Sequence, residues 1–253
     1  KDFPTNKKYA IPLSITGASN YSLIPSQRSA ILLLNRSILS SVAKVSGGEG
    51  IRIKPVGMHT KAEWTIQMSA IYSSLTRSNL TTAYLSNGTG GEFYTRISST
   101  AGIQVKNGRD GDDTWTQIPL QAGKWLHITY VHKDKKTTVY VNGKVQKVFE
   151  NSAITFGENS MIVVGNSGYR NDYLREIRLW DKALTESEIN DYLYLPMDPA
   201  TPHLISYLPL SKEMETKDLK APAGTENVTT KARIEYVENV KFPADELVIV
   251  NQE

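Results

Sequence analysis

Apolar and polar residues alternate along most of the chain with a period of two, and turn residues interrupt this alternation roughly every eight to twelve positions. The stretch from Gly123 to Gln146 shows the pattern best, with two alternating runs around a charged tip, "HKDKK". Its second run ends at Asn142-Gly143, and Asn-Gly beside alternating runs is a strong short-range signal for a β-hairpin. The pattern is typical of a β-sandwich or barrel.

The predicted strands follow this alternation or form short apolar runs between Gly, Pro, Asn and Asp clusters. They are Tyr9–Thr16, Ala30–Asn35, Gly50–Lys54, Trp64–Tyr72, Thr82–Ser86, Phe93–Ser98, Gly102–Lys106, Trp125–His132, Thr137–Val141, Met161–Val164, Tyr173–Trp180, Ile205–Pro209, Ile234–Val237 and Glu246–Val250.

One segment departs from the period of two. "ALTESEINDYLY" predicts a short capping helix near residues 185–194. Thr185 lies at the N-cap and Glu188 three residues on, so the hydroxyl and the carboxylate can each accept from a free backbone N–H. Leu184 and Ile189 can pack across this helix start, and Pro196 lies beyond its end.

The chain divides into three parts. Residues 1–36 contain two strands and a long connection, 37–49 are a Ser-rich stretch predicted to be a linker, and 50–253 contain the remaining strands. Two strands cannot bury a core by themselves. The first part therefore either packs on the main domain or is the end of a longer N-terminal β-sandwich domain.

Composition and charge exclude several classes of protein. The net charge of +3, with acidic and basic residues interleaved, does not favour a nucleic-acid partner. The sequence contains no cysteine, so disulfides and thiolate metal sites are ruled out. No run approaches the roughly 18 apolar residues of a membrane-spanning helix. The chain opens on Lys1 without a signal peptide, which suggests a processed or trimmed form.

From Trp64 onward a series of motifs occurs in a distinctive order, carried by Trp125, His127, Tyr140, Val141, Asn142, Gly143, Gly165, Trp180, Ala183, Leu184, Thr185, Glu188 and Ile189. This order resembles the laminin-G-like branch of the concanavalin A-like lectin/glucanase superfamily. The resemblance covers roughly residues 50–250. It implies an all-β fold, a two-sheet antiparallel jelly-roll sandwich with one short helix.

The opening segment, "YAIPLSITGASNYSLIPSQRSAILLLN", resembles the end of a β-sandwich domain in surface lipoproteins of glycan-foraging gut bacteria. This shorter resemblance implies a secreted or cell-surface protein, anchored in the outer membrane as a lipoprotein and active in polysaccharide utilization. A neighbouring domain or another surface protein would then be a partner.

Glycosidase chemistry on this scaffold is not predicted. The superfamily's glucanases carry Glu-x-Asp-x-x-Glu on one strand, where alternation brings the carboxylates of nucleophile and acid to one face. The nearest runs here, at Glu215 and Glu186, have other spacings, and the second lies on the predicted helix. We therefore expect no catalytic residues.

Sugar binding requires exposed aromatic faces together with planar polar groups. The loop "NSGYRNDY" supplies Tyr169, Arg170, Asn171 and Asp172, and Trp115 is a second candidate beside an acidic turn. The alternative is that this loop is merely solvated. Trp64, Trp125 and Trp180 follow strand periodicity instead and are predicted to lie in the core.

The acidic turn "NGRDGDDT" is the best candidate for a metal. Many members of the superfamily bind Ca²⁺ at the rim of the sandwich, and Asp110, Asp112 and Asp113 offer the oxygen ligands that Ca²⁺ prefers. The spacing differs from an EF-hand, and Asp-Gly also forms an ordinary turn.

Two functional hypotheses follow from the sequence. The first is a non-catalytic lectin-like module that binds carbohydrate in glycan capture. The second is a structural or protein-interaction β-sandwich without a sugar site.

Overall fold

The computed structural model describes residues 9–14, 29–34, 37–56, 62–76, 78–84, 93–106, 114–150, 154, 156, 159–165 and 169–251. The chain forms two compact units, Lys1–Ile38 and Leu39–Glu253.

The first unit contains an antiparallel pair of strands. Strand β1 (Tyr9–Ser14) runs against β2 (Ser29–Leu34), with Tyr9 opposite Leu34 and Ser14 opposite Ser29. The side chains of Ile11 and Leu13 in β1 are exposed. That this segment is the end of an N-terminal β-sandwich domain stays a prediction.

The second unit is a sandwich of two antiparallel sheets, as the sequence predicted. The larger sheet has the order β11-β10-β9-β5-β13-β3-β16, with β14 also paired to β13, and the smaller has the order β15-β4-β12-β6-β7-β8. The strands are β3 (Ile38–Gly47), β4 (Ile51–Ile53), β5 (Trp64–Ile71), β6 (Ser78–Tyr84), β7 (Phe93–Ser98), β8 (Gly102–Lys106), β9 (Trp125–Lys133), β10 (Lys136–Val141), β11 (Lys144–Glu150), β12 (Met161–Val164), β13 (Tyr169–Trp180), β14 (Leu204–Leu208), β15 (Val228–Thr229) and β16 (Arg233–Phe242).

The main core lies between the two sheets and is centred on aromatic residues. The indole of Trp64 meets Phe93 and Phe156 edge-on, with ring centroids 5.2 and 5.3 Å apart, and stacks on His132 at 5.1 Å. Its Nε1 donates to the carbonyl of Ile154 at 3.0 Å, so the polar atom of this buried ring is satisfied. The prediction that Trp64, Trp125 and Trp180 are buried is confirmed.

The predicted linker 37–49 is wrong, because most of it forms β3. This strand pairs with β13, with Ala43 opposite Leu174 and Gly47 opposite Tyr169. Val42, Ala43 and Val45 are fully buried, although serines surround them in the sequence. The prediction also left out β11 and placed a strand at Glu246–Val250, where the structure has an isolated bridge between Val240 and Ile249.

The helix α1 (Glu186–Asp191) has the predicted capping box. Oγ1 of Thr185 accepts from the backbone N–H of Glu188, and the Glu188 carboxylate accepts from the N–H of Thr185 at 2.9 Å. The helix is shorter than predicted and ends at Asp191. Its buried Ile189 joins a second cluster of apolar side chains outside the sandwich, with Val131, Tyr140, Trp180, Leu184, Met197, Leu204 and Tyr207.

This second cluster covers the outer face of the larger sheet. Residues of β9 show the alternation: Ile128 and Tyr130 point into the main core, while Val131 lies in the outer cluster. The sheet is thus covered on both faces in this region, which accounts for the burial of eight consecutive residues of β9, Trp125–His132.

Strand β13 contains a bulge at Glu176. Arg175 pairs with Ser69 and Ile177 with Met68, so Glu176 has no opposite residue in β5. Glu176 adopts a φ of 56°, in the left-handed region that non-glycine residues seldom occupy. As a result Leu174, Ile177 and Leu179 all face the main core despite their uneven spacing.

Candidate functional site

A cavity of about 810 Å³ lies on the long connection between β14 and β15. This volume is within the range of about 300–1,000 Å³ that is usual for ligand sites. The lining is contiguous in sequence and consists of Glu213, Met214, Glu215, Thr216, Lys217, Asp218, Leu219, Ala221, Pro222, Ala223, Gly224, Thr225, Glu226, Asn227 and Val228. We call residues 213–228 the acidic loop.

Asp218 organises the acidic loop. Its buried carboxylate accepts hydrogen bonds from the hydroxyl of Ser206 at 2.7 Å and the backbone N–H of Tyr207 at 2.9 Å, both in β14. It also accepts from the N–H of Lys220 at 2.9 Å and from Nδ2 of Asn227 at 2.8 Å. Bonds to a charged acceptor are stronger than neutral ones, so Asp218 holds its part of the loop to β14 and to Asn227 near the loop's end.

The acidic loop turns on both sides of Asp218. The N–H of Lys217 donates to the carbonyl of Met214 at 2.9 Å, and the N–H of Thr225 donates to that of Pro222 at 3.0 Å. At the far end the carbonyl of Asn227 accepts from the N–H of Lys54 at 2.8 Å, next to β4. The cavity is therefore built on a hydrogen-bonded framework.

Charged side chains surround the cavity and are exposed to solvent. Glu213, Glu215 and Glu226 contribute carboxylates and Lys217 an ammonium group. Burial raises the pKa of the nearby Tyr236 to about 12, and the charge of Glu215 acts in the same direction. The side chain of Met214 is 40% exposed and adds an apolar surface at the rim. The arrangement offers hydrogen-bond acceptors, a donor and an apolar contact.

The residues of "NSGYRNDY" take different positions. Tyr169 and Arg170 pair with β3 at the start of β13, and their side chains lie outside the described residues. Asn171 is exposed, with a φ of 63°. Asp172 is buried, and its Oδ1 accepts from the N–H and the hydroxyl of Ser73 at 2.7 and 2.9 Å. Asn171 is therefore the member whose side chain is both described and exposed.

Trp115 is packed within the fold. Trp115 is 6% exposed, and its backbone forms an isolated antiparallel bridge with Gln104 of β8. Its carbonyl accepts from Nζ of Lys147 at 2.8 Å. A buried ring offers little surface for stacking on a sugar.

The calcium candidates Asp110, Asp112 and Asp113 lie outside the described residues. Within the described ranges, no group of three or more His, Asp or Glu side chains is arranged to hold a metal ion. The Ca²⁺ site therefore stays a prediction.

The acidic loop was not among the sequence-predicted sites, although one signal pointed to it. Between the predicted strands Ile205–Pro209 and Ile234–Val237 the sequence has a long polar stretch with no strand pattern. Connections of this length in compact domains are uncommon and are often functional. The missing information was the hydrogen bonding of Asp218, which depends on contacts with β14.

The fold is thus a two-sheet antiparallel β-sandwich with a cavity on the connection between β14 and β15. A family model described as Laminin_G_3, concanavalin A-like lectin/glucanases superfamily, matches residues 46–190. This is more than half of the chain, and the chain belongs to this family.

Solved structures with this fold include two from distant organisms. The chain is similar to a "putative carbohydrate binding protein" from Bacteroides ovatus, with 17% identity, a TM-score of 0.61, and coverage of 94% of this chain and 70% of that one. It is also similar to the heptameric SAP-like pentraxin of Limulus polyphemus, with 14% identity, a TM-score of 0.52, and coverage of 79% and 94%. A search of curated protein sequences found no significant match.

Among the described residues, no helix has the length and apolar character needed to cross a membrane.

Proposed function

We propose that this protein is a non-catalytic carbohydrate-binding module, and that the acidic loop holds the glycan. The observation that carries the proposal is the cavity of about 810 Å³ with exposed carboxylates on a hydrogen-bonded framework. Membership in a superfamily of lectins and glucanases supports the same class of ligand. Fold alone would be a weak basis, so the chemistry of the cavity has to carry the proposal.

The lining suits a hydroxyl-rich ligand. Ionised Glu215 and Glu226 are acceptors only, and sugar hydroxyls can donate to both of their oxygens. Lys217 can donate to ring or hydroxyl oxygens. Met214 and Pro222 supply apolar surface for the C–H groups of a pyranose. No aromatic residue is among the described residues that line the cavity, so binding rests on hydrogen bonds rather than ring stacking.

The start of β13 is a second place where a glycan could make contact. Asn171 presents an exposed amide there, next to Tyr169 and Arg170 in sequence. We keep these residues as candidate ligand contacts, and with them the candidate Ca²⁺ ligands of the 107–113 turn. Binding in the presence and absence of Ca²⁺ separates a metal-dependent site from the acidic loop.

The absence of catalysis is part of the proposal. The sequence lacks the Glu-x-Asp-x-x-Glu run of the superfamily's glucanases. The carboxylate of Asp218 is buried and accepts four hydrogen bonds, which suits a structural role rather than proton transfer. We further propose that the protein is secreted or held at the cell surface as a lipoprotein, where it captures glycans for polysaccharide utilization.

The test is binding to an array of microbial, plant and host glycans, followed by calorimetry on any glycan that binds. Glu215→Gln combined with Glu226→Gln should weaken binding at least about tenfold, because hydrogen bonds to charged groups contribute about 1.5–3 kcal/mol each. Glu150→Gln, an exposed glutamate at the end of β11, is the matched control and should bind like the wild type.

Three other results of these binding and activity measurements would change the proposal. Failure to bind any glycan, with and without Ca²⁺, would contradict the proposal and favour a structural or protein-interaction module. Binding that survives the double variant but is lost in Asn171→Ala would place the glycan at β13. Release of reducing sugar by the purified chain would refute the non-catalytic assignment.

A further inference from the structure

Charged and polar side chains are buried in two rows on the outer face of the larger sheet. The first row crosses three strands with Arg175, Ser69 and His127 opposite one another, and the second has Arg178, Gln67 and Thr129. Every one of these except Ser69 is buried, and Ser69 is partly buried. We call these six residues and Glu176 the outer-face cluster.

The segment after α1 covers the cluster through its carbonyl groups. Arg178 donates through Nη1 to the carbonyl of Tyr192 at 2.8 Å and through Nη2 to that of Leu195 at 2.6 Å. Arg175 donates through Nη2 to the carbonyl of Tyr194 at 3.1 Å. The ring of Tyr194 meets the imidazole of His127 edge-on, with centroids 4.8 Å apart. The cluster is thus enclosed between the sheet and this segment.

The formal charges in the cluster do not balance. Glu176 faces both guanidinium groups, with Oε1 2.9 Å from Nη2 of Arg175 and Oε2 in contact with Nη2 of Arg178. Its single negative charge opposes two positive charges. Burial and the two arginines lower the pKa of His127 to about 3, so the imidazole is neutral at pH 7. One positive charge is left, and a buried charge without a counter-charge is unfavourable.

Three buried nitrogen atoms of the cluster also lack a hydrogen-bond partner in the described part of the chain. Nε of Arg175, Nε of Arg178 and Nε2 of His127 are buried and have no hydrogen-bond partner among the described residues. An arginine Nε always carries a proton. Nδ1 of His127 lies 2.6 Å from the hydroxyl of Ser69; if it accepts from that hydroxyl, Nε2 carries the proton and is a donor as well.

A small cavity adjoins two of the residues that carry these donors. Its volume is about 10 Å³, and its lining includes Gln67, Ser69, His127, Glu176 and Arg178. A cavity of roughly 10–15 Å³ accommodates a single water-sized particle. A particle there would lie beside His127 and Arg178, which carry two of these donors, and beside Glu176, within a cluster that has a surplus of positive charge.

We propose that this cavity binds one small monovalent anion, ordinarily chloride, held by Nε2 of His127 and Nε of Arg178. The anion neutralises the surplus charge and accepts from donors that the protein does not satisfy. Because Arg178 also donates to the carbonyls of Tyr192 and Leu195, the anion stabilises the attachment of that segment to the sheet. This site is separate from the acidic loop and does not depend on glycan binding.

The deciding experiment is a crystal structure of the wild-type chain grown with bromide in place of chloride. An anomalous peak is expected in the cavity, within hydrogen-bonding distance of His127 Nε2 and Arg178 Nε. A cavity that holds a water molecule without an anomalous peak overturns the proposal, as does bromide confined to surface lysines. This result decides even if a variant fails to fold.

A solution measurement gives the effect on stability. The melting temperature of the wild type is compared in a gluconate salt and in a chloride salt at equal ionic strength. With chloride at ten times the Kd of the proposed site, the melting temperature should be about 3–6 °C higher than in gluconate. His127→Leu should abolish this rise. His203→Ala removes an exposed histidine that pairs with Asp181 and should retain it. A wild-type melting temperature that is the same in both salts would contradict the proposal.

Discussion

Asn227 donates through Nδ2 to Oδ2 of Asp218 at 2.8 Å, and this hydrogen bond joins two separate turns of the acidic loop. The same Asn227 also donates to the carbonyl of Lys54 at 3.2 Å. The loop is therefore attached to the larger sheet through β14 and to the smaller sheet through β4. Its shape depends on the sandwich being closed.

Asp218→Ala should lower the free energy of unfolding by about 2–4 kcal/mol, because it leaves buried donors of Ser206, Tyr207 and Asn227 without their acceptor. Urea denaturation measures the effect. Glu226→Ala, an exposed carboxylate in the same loop, should change stability by no more than about 0.5 kcal/mol. Equal losses in the two variants would show that Asp218 does not anchor the loop.

Gly143→Ala and Gly123→Ala form a matched pair, because both glycines have a φ of 76°. A Cβ on Gly123 would meet nothing within 4 Å, whereas one on Gly143 would lie 2.1 Å from Oδ1 of Asn190 in α1. We expect Gly123→Ala to cost about 1 kcal/mol through backbone strain alone. Gly143→Ala should cost about 1 kcal/mol more, since Asn190 must move and loses its bond to the Gly143 carbonyl.

Thermal or urea unfolding of both glycine variants checks this difference. In an Asn190→Ala background, where the clash and the bond to the Gly143 carbonyl are both absent, Gly143→Ala should cost about the same as Gly123→Ala does in the wild type. If the two single variants are equally stable, the hairpin and α1 are not coupled through this contact.

Protonation of His127 should make the protein less stable as the pH falls. Its pKa is about 3 in the folded protein, mainly because of burial and then because of Arg175 and Arg178, against about 6.5 in the unfolded chain. Between these values the unfolded chain binds a proton that the folded protein does not. Above about pH 6.5 this histidine does not change the free energy of unfolding with pH. Below that pH it lowers the free energy of unfolding by about 1.4 kcal/mol per pH unit, and the decrease levels off near pH 3.

The slope of the unfolding free energy between about pH 6 and about pH 5 is the measurement, because most carboxylates stay ionised there. His132, whose pKa burial lowers to about 4, adds a slope of the same sign. His127→Gln should reduce the wild-type slope by about 1.4 kcal/mol per pH unit, the value for one proton bound by the unfolded chain and not by the folded protein. An unchanged slope would show that the imidazole is not held neutral.

Trp115→Ala tests whether the second sequence-predicted contact is a binding residue or a packing residue. Since the ring is buried, we expect a loss of about 3 kcal/mol in unfolding free energy and no change in glycan affinity. Calorimetry and urea denaturation on the same preparation separate the two quantities. Weaker binding at unchanged stability would restore Trp115 to the site.

Local pattern was enough to predict the main features of the sandwich. Alternation and short apolar runs located β7, β8 and β12 to the residue, and the Thr185–Glu188 spacing predicted the start of α1. These signals depend on neighbours in sequence. Strand β3 was missed because its buried Val42 and Ala43 are adjacent in sequence and serines surround them, so that no clean alternation marks the strand.

The site was harder to predict because its residues are defined by distant contacts. Asp218 resembles any exposed loop carboxylate in sequence, and its burial depends on Ser206 and Tyr207. Asp172 was selected as a ligand contact from its place in a polar loop, yet it binds Ser73, far away along the chain. A polar loop residue can serve either role, and sequence spacing does not distinguish them.

The bulge at Glu176 has a consequence for how this strand can change by mutation. Deletion of Glu176 would keep Ile177 and Leu179 facing the core. Without the extra residue, Leu174, Ile177 and Leu179 would occupy alternate positions of a regular strand and would all point to the same face. The same deletion would remove the carboxylate that lies between Arg175 and Arg178. Loss of this one residue would thus leave the fold's pattern intact and place two like charges next to each other beneath residues 192–195.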